Sequence, residues 1–199
     1  MINLEDYEIF NDNKKGLKEL SIDDSDKENI KYMTEAEEEA VDFDSVKTKY
    51  TNALCLSEDM SDSVDALTQL ADGLAFIEFK NGKMKNEKRK VKDKARDSLL
   101  LFCDITEKTI AYTRKKMDFV LVYNIDKNPL PNQVTKDTVQ ESDSREAIAK
   151  HFLGKAKEEL IRFDLERFKT LYFRNVHTYS KEEFKAYWEK NKPVAMSVH

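Results

Sequence analysis

The stretch SVDALTQLADGLAFIEFKNGK, residues 63–83, decides how this chain folds. Two short apolar runs flank Asp72 and Gly73, and an Asp-Gly pair between such runs is a strong signal for a two-residue hairpin turn. With these two residues as the turn, the register of the hairpin follows, and Asp65 on the first strand lies opposite Lys80 on the second. The sequence therefore predicts a β-hairpin with charged residues at its open end.

This register brings three charged side chains to one face of the hairpin. Side chains alternate along a strand, so Glu78 and Lys80 point the same way, and cross-strand partners share a face, which adds Asp65. Carboxylates that project from strands are ligands that Mg²⁺ and Mn²⁺ prefer. A lysine between two carboxylates is also typical of a salt-bridge cluster, and the spacing allows both interpretations.

Asp65, Glu78 and Lys80 resemble the motif of the PD-(D/E)xK, or restriction-endonuclease-like, nucleases, in which an Asp near one strand precedes Glu-x-Lys on the next. Val64 stands where that motif has its proline. The resemblance extends to about Asn124, because IEFKNGK, DSLLLF and FVLVYN look like uncharacterised bacterial or phage-type members. It implies an α/β fold, with a restriction-endonuclease-like core, a central mixed β-sheet flanked by helices, and extra N- and C-terminal helices.

The resemblance also implies a role for each residue of the motif. Asp65 and Glu78 would ligate Mg²⁺ or Mn²⁺ with help from the Phe79 carbonyl, and Lys80 would orient or help deprotonate the attacking water. A bound cation lowers the pKa of its water and neutralises charge on the scissile phosphate. The implied function is a metal-dependent nuclease in phage defence or a mobile element. DNA is the expected substrate, and RNA is the less favoured alternative.

Other acidic residues compete for a place in the metal site. Asp72 is one, but a turn residue six positions from Glu78 would lie ~20 Å away along the strand. The run TEAEEEAVDF, residues 34–43, is expected to be helical, and an opening helix often supplies a further acid in this family. Glu38 and Glu39 are the candidates for that role, and neither is chosen.

A basic segment follows the motif. Nine lysines and arginines and two acids lie between residues 80 and 96, and a helix is predicted from about Asn86 to Asp104. Phosphate contact is the functional interpretation of such a segment, and a solvated helix face is the alternative. The candidates for nucleic-acid contact are Lys83, Lys88, Arg89, Lys94 and Ser98. Lys94, Asp97 and Ser98 are also candidates for a polar residue that faces the site from this helix.

The charge is unevenly distributed along the chain. The net charge is −5 overall, but residues 1–62 hold eighteen acids and seven bases, which leaves the remainder basic. An acidic part of this kind is an interaction surface, a DNA mimic that covers the basic segment, or a solvated helical layer. The alternative function is therefore a non-catalytic nuclease-like module that binds a protein partner through this part. A homodimer is a further expectation, because nucleases that cut both strands commonly act as dimers.

A length of 199 residues suits a single domain with a sizeable core. Its predicted parts are an acidic helical part (1–62), a nuclease-like core (63–125), a polar loop (126–144) and C-terminal helices with a strand (145–199). Within them, a buried strand is predicted over 118–125, a helix from 144 through 168, a strand over 170–179 and a last helix.

Several protein classes are excluded by what the sequence lacks. It has no Gly-rich phosphate loop and no nucleophile elbow, which argues against P-loop ATPases and most hydrolases. Cys55 and Cys103 lie in apolar surroundings and are predicted to be buried thiols rather than a zinc pair or a disulfide. The opening residues resemble no signal peptide and no long apolar run occurs, so we expect a cytoplasmic protein that does not enter a membrane.

Overall fold

The computed structural model describes residues 2–23, 30–130 and 160–193. The strands are β1 (Lys14–Gly16), β2 (Ile22–Asp23), β3 (Lys31–Tyr32), β4 (Glu39–Asp42), β5 (Ala66–Leu70), β6 (Gly73–Lys80), β7 (Met117–Tyr123) and β8 (Asn175–Tyr179). The helices are α1 (Glu8–Asn11), α2 (Leu17–Leu20), α3 (Phe43–Ala53), α4 (Lys88–Thr106), α5 (Ile110–Lys116) and α6 (Lys181–Asn191).

Six strands form one mixed sheet in the order β1-β4-β5-β6-β7-β8. Neighbours from β1 to β6 pair antiparallel, whereas β6, β7 and β8 pair parallel. The two parallel central strands are buried almost throughout, as expected for strands covered on both faces. The protein is therefore an α/β protein with a mixed central sheet flanked by helices, and β2 and β3 form a small separate ribbon.

The two faces of the sheet carry two hydrophobic clusters. Leu74 and Phe76 of β6 belong to the cluster that α3 and α4 cover, together with Phe102. Ile77 belongs to the cluster on the other face, which packs against Trp188 of α6. Alternation along β6 thus directs even-numbered residues toward α4, and this is the face on which Glu78 and Lys80 lie.

The hairpin turn lies one residue earlier than the sequence predicts. Leu70 pairs with Gly73, so the two turn residues are Ala71 and Asp72, not Asp72 and Gly73. Gly73 has a φ of 122°, a conformation that side chains rarely allow, and it passes close to the backbone carbonyl of Lys116. Gly73 is therefore required as the first residue of β6, where this strand starts beside β7. The sequence pattern predicts the same glycine as a turn residue, which is wrong.

The change of turn moves the register by two residues along β6. Ala66 pairs with Ile77, and extending this register aligns Asp65 with Glu78 rather than with Lys80. A two-residue displacement preserves the alternation of side chains between faces. The predicted convergence of the three charged residues on one face is therefore confirmed, although the predicted opposite partner is wrong.

We expect Gly73→Ala to lower the free energy of unfolding by about 2–4 kcal/mol. A Cβ at this position would overlap the Lys116 carbonyl, and the positive φ would strain any side chain. Urea denaturation measures the effect. Gly82→Ala is the matched control, because nothing lies within 4 Å of a Cβ built there. An equal, small loss in both variants would contradict this account of the turn.

Most helices and strands of the core are those the sequence predicts. The helix expected at 86–104 is α4, the strand expected at 118–125 is β7, and the last helix is α6. A capping box formed by Ser180 and Glu183 begins α6. The strand expected over 170–179 is shorter, because β8 starts only at Asn175.

Three predictions of local structure are wrong. The run 34–43 contains strand β4 instead of a helix, because Ala40 and Val41 are buried and paired between β1 and β5, which overrides the helix propensity of Glu and Ala. Residues 160–168 contain only a short 3₁₀ turn. Cys55 is exposed. Residues 144–159 of the predicted helix, and most of the predicted loop, lie outside the described residues.

The part of the chain that the structure describes contains no helix both long and apolar enough to span a membrane.

Candidate functional site

Four of the residues proposed from the sequence line one cleft. It has a volume of about 630 Å³ and lies where β6 ends, beside the residues that lead into β5. Asp65, Phe79, Lys80 and Lys83 contribute to its wall. Glu78 lies directly beneath this wall and has no exposed side-chain surface. The hairpin therefore presents its open end, and not its turn, to the cleft.

A compact cluster of two carboxylates and two ammonium groups lies at the base of the cleft. Lys94 of α4 contacts both acids, because its Nζ is 3.1 Å from Asp65 Oδ1, 2.9 Å from Glu78 Oε1 and 3.0 Å from Glu78 Oε2. Lys80 Nζ is 3.2 Å from Glu78 Oε1. Neither ammonium is aligned for a hydrogen bond to Glu78 Oε1, which is a buried oxygen without a hydrogen-bond partner.

Backbone hydrogen bonds hold the cluster in place. Asp65 Oδ2 accepts a hydrogen bond of 2.6 Å from the N–H of Phe79, so this carboxylate is attached to β6. On α4, Ser98 Oγ accepts a hydrogen bond from the N–H of Val64 at 2.8 Å, and Asp97 accepts one from the N–H of Asp62. Helix α4 is therefore bound to the segment that carries Asp65, on the same side as Lys94.

Burial opposes ionisation of the two carboxylates in this cluster. Burial raises the pKa of Glu78 to about 8, the charge of Asp65 adds to this rise, and Lys94 and Lys80 oppose it. Burial also raises the pKa of Asp65. Burial alone would lower the pKa of Lys94, but the charges of Glu78 and Asp65 raise it above its ordinary value. Burial thus makes the carboxylates costly to ionise even beside two ammonium groups.

Sequence reasoning missed two acids that line the same cleft. Asp42 and Asp44 begin α3, where Asp42 caps the helix by accepting from the N–H of Ser45 and also pairs with Lys15 at 2.7 Å. These hydrogen bonds hold the pKa of Asp42 below its ordinary value, although burial opposes them. Asp44 accepts a hydrogen bond from Ser63. Asp is a favoured N-cap residue, and this preference is a signal that could have located Asp42.

The residues proposed for nucleic-acid contact separate into exposed and buried groups. Lys83 is exposed at the cleft, Lys88 pairs with Asp164, and Arg89 is exposed on α4. Lys94 and Ser98 are buried, since they engage the carboxylates and a backbone N–H. Their assignment to a nucleic-acid-contacting surface is therefore corrected, whereas the expectation that α4 directs a polar side chain at the site is met by Lys94.

The competing acids lie elsewhere. Glu38 accepts from the indole N–H of Trp188 and Glu39 is exposed, and neither lines the cleft. Asp72 pairs with Arg174 at the turn end of the hairpin. Among the described residues, no group of three or more His, Cys, Asp or Glu side chains is arranged to hold a metal ion. A metal held by Asp65 and Glu78 would therefore take its other ligands from backbone oxygens or water.

Comparison with protein-family models, with curated proteins and with solved structures gave no match for this chain. The function is therefore argued from the geometry of the cleft.

Proposed function

We propose that this protein is a Mg²⁺- or Mn²⁺-dependent nuclease that hydrolyses phosphodiester bonds of DNA, on a core of the restriction-endonuclease-like type. The observation that carries the proposal is the convergence of Asp65, Glu78 and Lys80 at one cleft, at the ends of two adjacent strands. This convergence is the arrangement that the sequence resemblance requires.

The donor set suits a hard divalent cation. Asp65 and Glu78 offer carboxylate oxygens, and the carbonyl of Phe79, in the wall of the same cleft, is the proposed third ligand. The buried Oε1 of Glu78 lies 2.9 Å from Lys94 Nζ and 3.2 Å from Lys80 Nζ, so it is an oxygen that already attracts positive charge. When bound, such a cation supplies Lewis-acid chemistry, because it lowers the pKa of water and offsets negative charge on a phosphate.

Lys80 is the residue of the motif best placed to meet a reacting group. It is the last residue of β6, its side chain is 19% exposed, and its Nζ lies between Glu78 at 3.2 Å and Glu87 at 3.8 Å. The buried Glu78 and the cleft residue Glu87 together orient the Lys80 ammonium. In the proposed reaction, Lys80 donates a hydrogen bond that orients the attacking water.

The charge of the cleft explains why nucleic acid would bind there only with a cation. Five acidic residues and three lysines line the wall: Asp23, Asp42, Asp44, Asp65 and Glu87, against Lys80, Lys83 and Lys127. A polyanion is repelled by such a surface unless positive charge is added. We therefore expect DNA binding itself to depend on the divalent ion, with Lys83 and Lys127 contacting phosphate beside it.

One observation favours a second candidate function. Lys94 and Lys80 together balance the charges of Asp65 and Glu78 without any metal, as in a structural salt-bridge cluster. Under this alternative the protein is a non-catalytic nuclease-like module that binds a protein partner through its acidic N-terminal part. Divalent metal separates the two functions, because a structural cluster is indifferent to it.

The test of the proposed function is a cleavage assay of the purified wild type on plasmid, linear duplex, single-stranded DNA and RNA. We expect cleavage of DNA with Mg²⁺ or Mn²⁺ and none with a chelator. The Glu78→Gln variant, purified in parallel, controls for contaminating nucleases. Absence of cleavage on every substrate, together with no heat of Mn²⁺ binding in calorimetry, would overturn the proposal and favour the binding module.

A further inference from the structure

We propose that Lys94 is an internal counter-ion that holds Asp65 and Glu78 together in the metal-free protein and leaves them when a divalent cation binds. This inference rests on the proposed function, since it concerns the same site. It assigns Lys94 as a positioning residue that controls metal affinity, a role distinct from the phosphate contact expected from the sequence.

The contacts of Lys94 are those of a cation seated between two ligands. One nitrogen lies within 3.1 Å of oxygens from both carboxylates, and it is the bridge between strand β6 and the residue before β5. Lys80, by contrast, contacts Glu78 and reaches outward to Glu87. Lys94 therefore occupies the position where a shared metal ion would have to bind.

Lys94 and a divalent ion cannot both occupy the position between Asp65 and Glu78. An ammonium and a divalent ion bound to the same carboxylate oxygens repel each other strongly in a buried environment, where water screens little. When both acids are ionised, their two negative charges are balanced by Lys94 and Lys80. A divalent ion with both ammonium groups in place would give the cluster an excess of two positive charges. Departure of one ammonium lowers this excess to one, and Lys94 is the one that contacts both ligands.

The structure allows Lys94 to leave without unfolding the helix. Helix α4 is held to the segment before β5 by Ser98 and Asp97, so its backbone stays in place when the lysine side chain moves. A lysine side chain has four flexible methylene groups and can place its ammonium several ångströms away by changes of rotamer. Asp44 and Glu87 line the adjacent cleft and are acids that the released ammonium can meet.

The test compares Mn²⁺ affinity by calorimetry in wild type, Lys94→Met, Lys80→Met and Lys92→Met. Methionine keeps an unbranched side chain that is one atom shorter than lysine, and it removes the ammonium with its charge and its hydrogen bonds. We expect Lys94→Met to bind Mn²⁺ about tenfold or more tightly than wild type, because no ammonium has to be displaced. Lys80→Met controls for loss of a charge beside Glu78, and Lys92→Met for loss of a charge on α4. Lys92→Met should change the affinity by less than about threefold. Lys80→Met, which removes an ammonium that contacts one of the two proposed ligands, should tighten binding less than Lys94→Met does.

The combination of Mn²⁺ binding and DNA cleavage in the two proteins shows which of the two proposals fails. If wild type binds Mn²⁺ and cleaves DNA, but Lys94→Met binds Mn²⁺ no more tightly than wild type, the proposed displacement of Lys94 is overturned and the proposed nuclease function stands. Binding in neither protein overturns both. Binding in Lys94→Met alone supports displacement, and absence of cleavage by wild type then counts against the nuclease.

A measurement on wild type decides the matter if Lys94→Met does not fold. A small amine-reactive reagent should modify Lys94 slowly in the metal-free protein, because the ammonium is buried and paired. Labelling of Lys94, read by peptide mass spectrometry, should rise with Mn²⁺ in parallel with occupancy. Labelling that stays constant across saturating Mn²⁺ overturns the proposal.

Discussion

Glu78→Gln should reduce the rate of DNA cleavage by about 10³-fold or more and abolish the heat of Mn²⁺ binding. The amide removes a negative charge and one anionic ligand while it keeps the size of the side chain. Glu78 is fully buried and contacts Lys94 and Lys80, so no solvent-exposed acid can replace it. Single-turnover cleavage and calorimetry on the same preparations measure both quantities.

The matched control is Asp72→Asn. Asp72 is an acid of the same hairpin, but it lies at the turn and pairs with Arg174 and Lys116. We expect its cleavage rate and Mn²⁺ affinity to stay within about twofold of wild type. A Glu78→Gln protein that is folded, binds Mn²⁺ and cleaves normally would contradict the assignment of this site.

The second large effect is on stability as a function of pH. Burial raises the pKa of Glu78 to about 8 from 4.5, so between these values the folded protein binds more protons than the unfolded chain. The associated stability is fully present below pH 4.5 and is lost as the pH rises through 8. Without divalent metal, wild type should therefore lose on the order of 2–4 kcal/mol, relative to Glu78→Gln, between pH 5 and pH 8.5.

Chemical denaturation of both proteins across this pH range measures the difference. The comparison cancels groups that titrate alike in the two proteins, including Asp42 and Asp118, whose lowered pKa values act at more acidic pH. Saturating Mn²⁺ should flatten or reverse the wild-type slope, because a carboxylate binds metal only when ionised. Parallel curves for the two proteins without metal would show that Glu78 ionises as freely in the folded protein as in the unfolded chain.

The sequence was sufficient for the face of the hairpin and insufficient for its register. A period of two along a strand is a local property, so Glu78 and Lys80 share a face in any register that keeps the alternation. The choice between Ala71-Asp72 and Asp72-Gly73 as the two turn residues was not local. It depended on β7, because the Lys116 carbonyl lies where a side chain on residue 73 would have to be.

The same division applies to the acidic N-terminal part. Its composition predicts charge correctly, but the helix expected over 34–43 is replaced by β4. Glu and Ala favour helix by propensity, and burial of Val41 between two partner strands outweighs that preference. Partner strands far apart in the chain are not visible in a local window.

By itself, the sequence identified the candidates for the proposed chemistry: Asp65, Glu78 and Lys80, on one face, at one end of a hairpin. Only the tertiary structure decided the part that Lys94 plays. From the sequence it is one of nine cations in a basic segment and one of three candidates, with Asp97 and Ser98, for a polar residue that faces the site. Packing of α4 on the sheet turns this one side chain inward, where the buried carboxylate of Glu78 and the partly buried one of Asp65 require a positive charge, and leaves Arg89 in solvent.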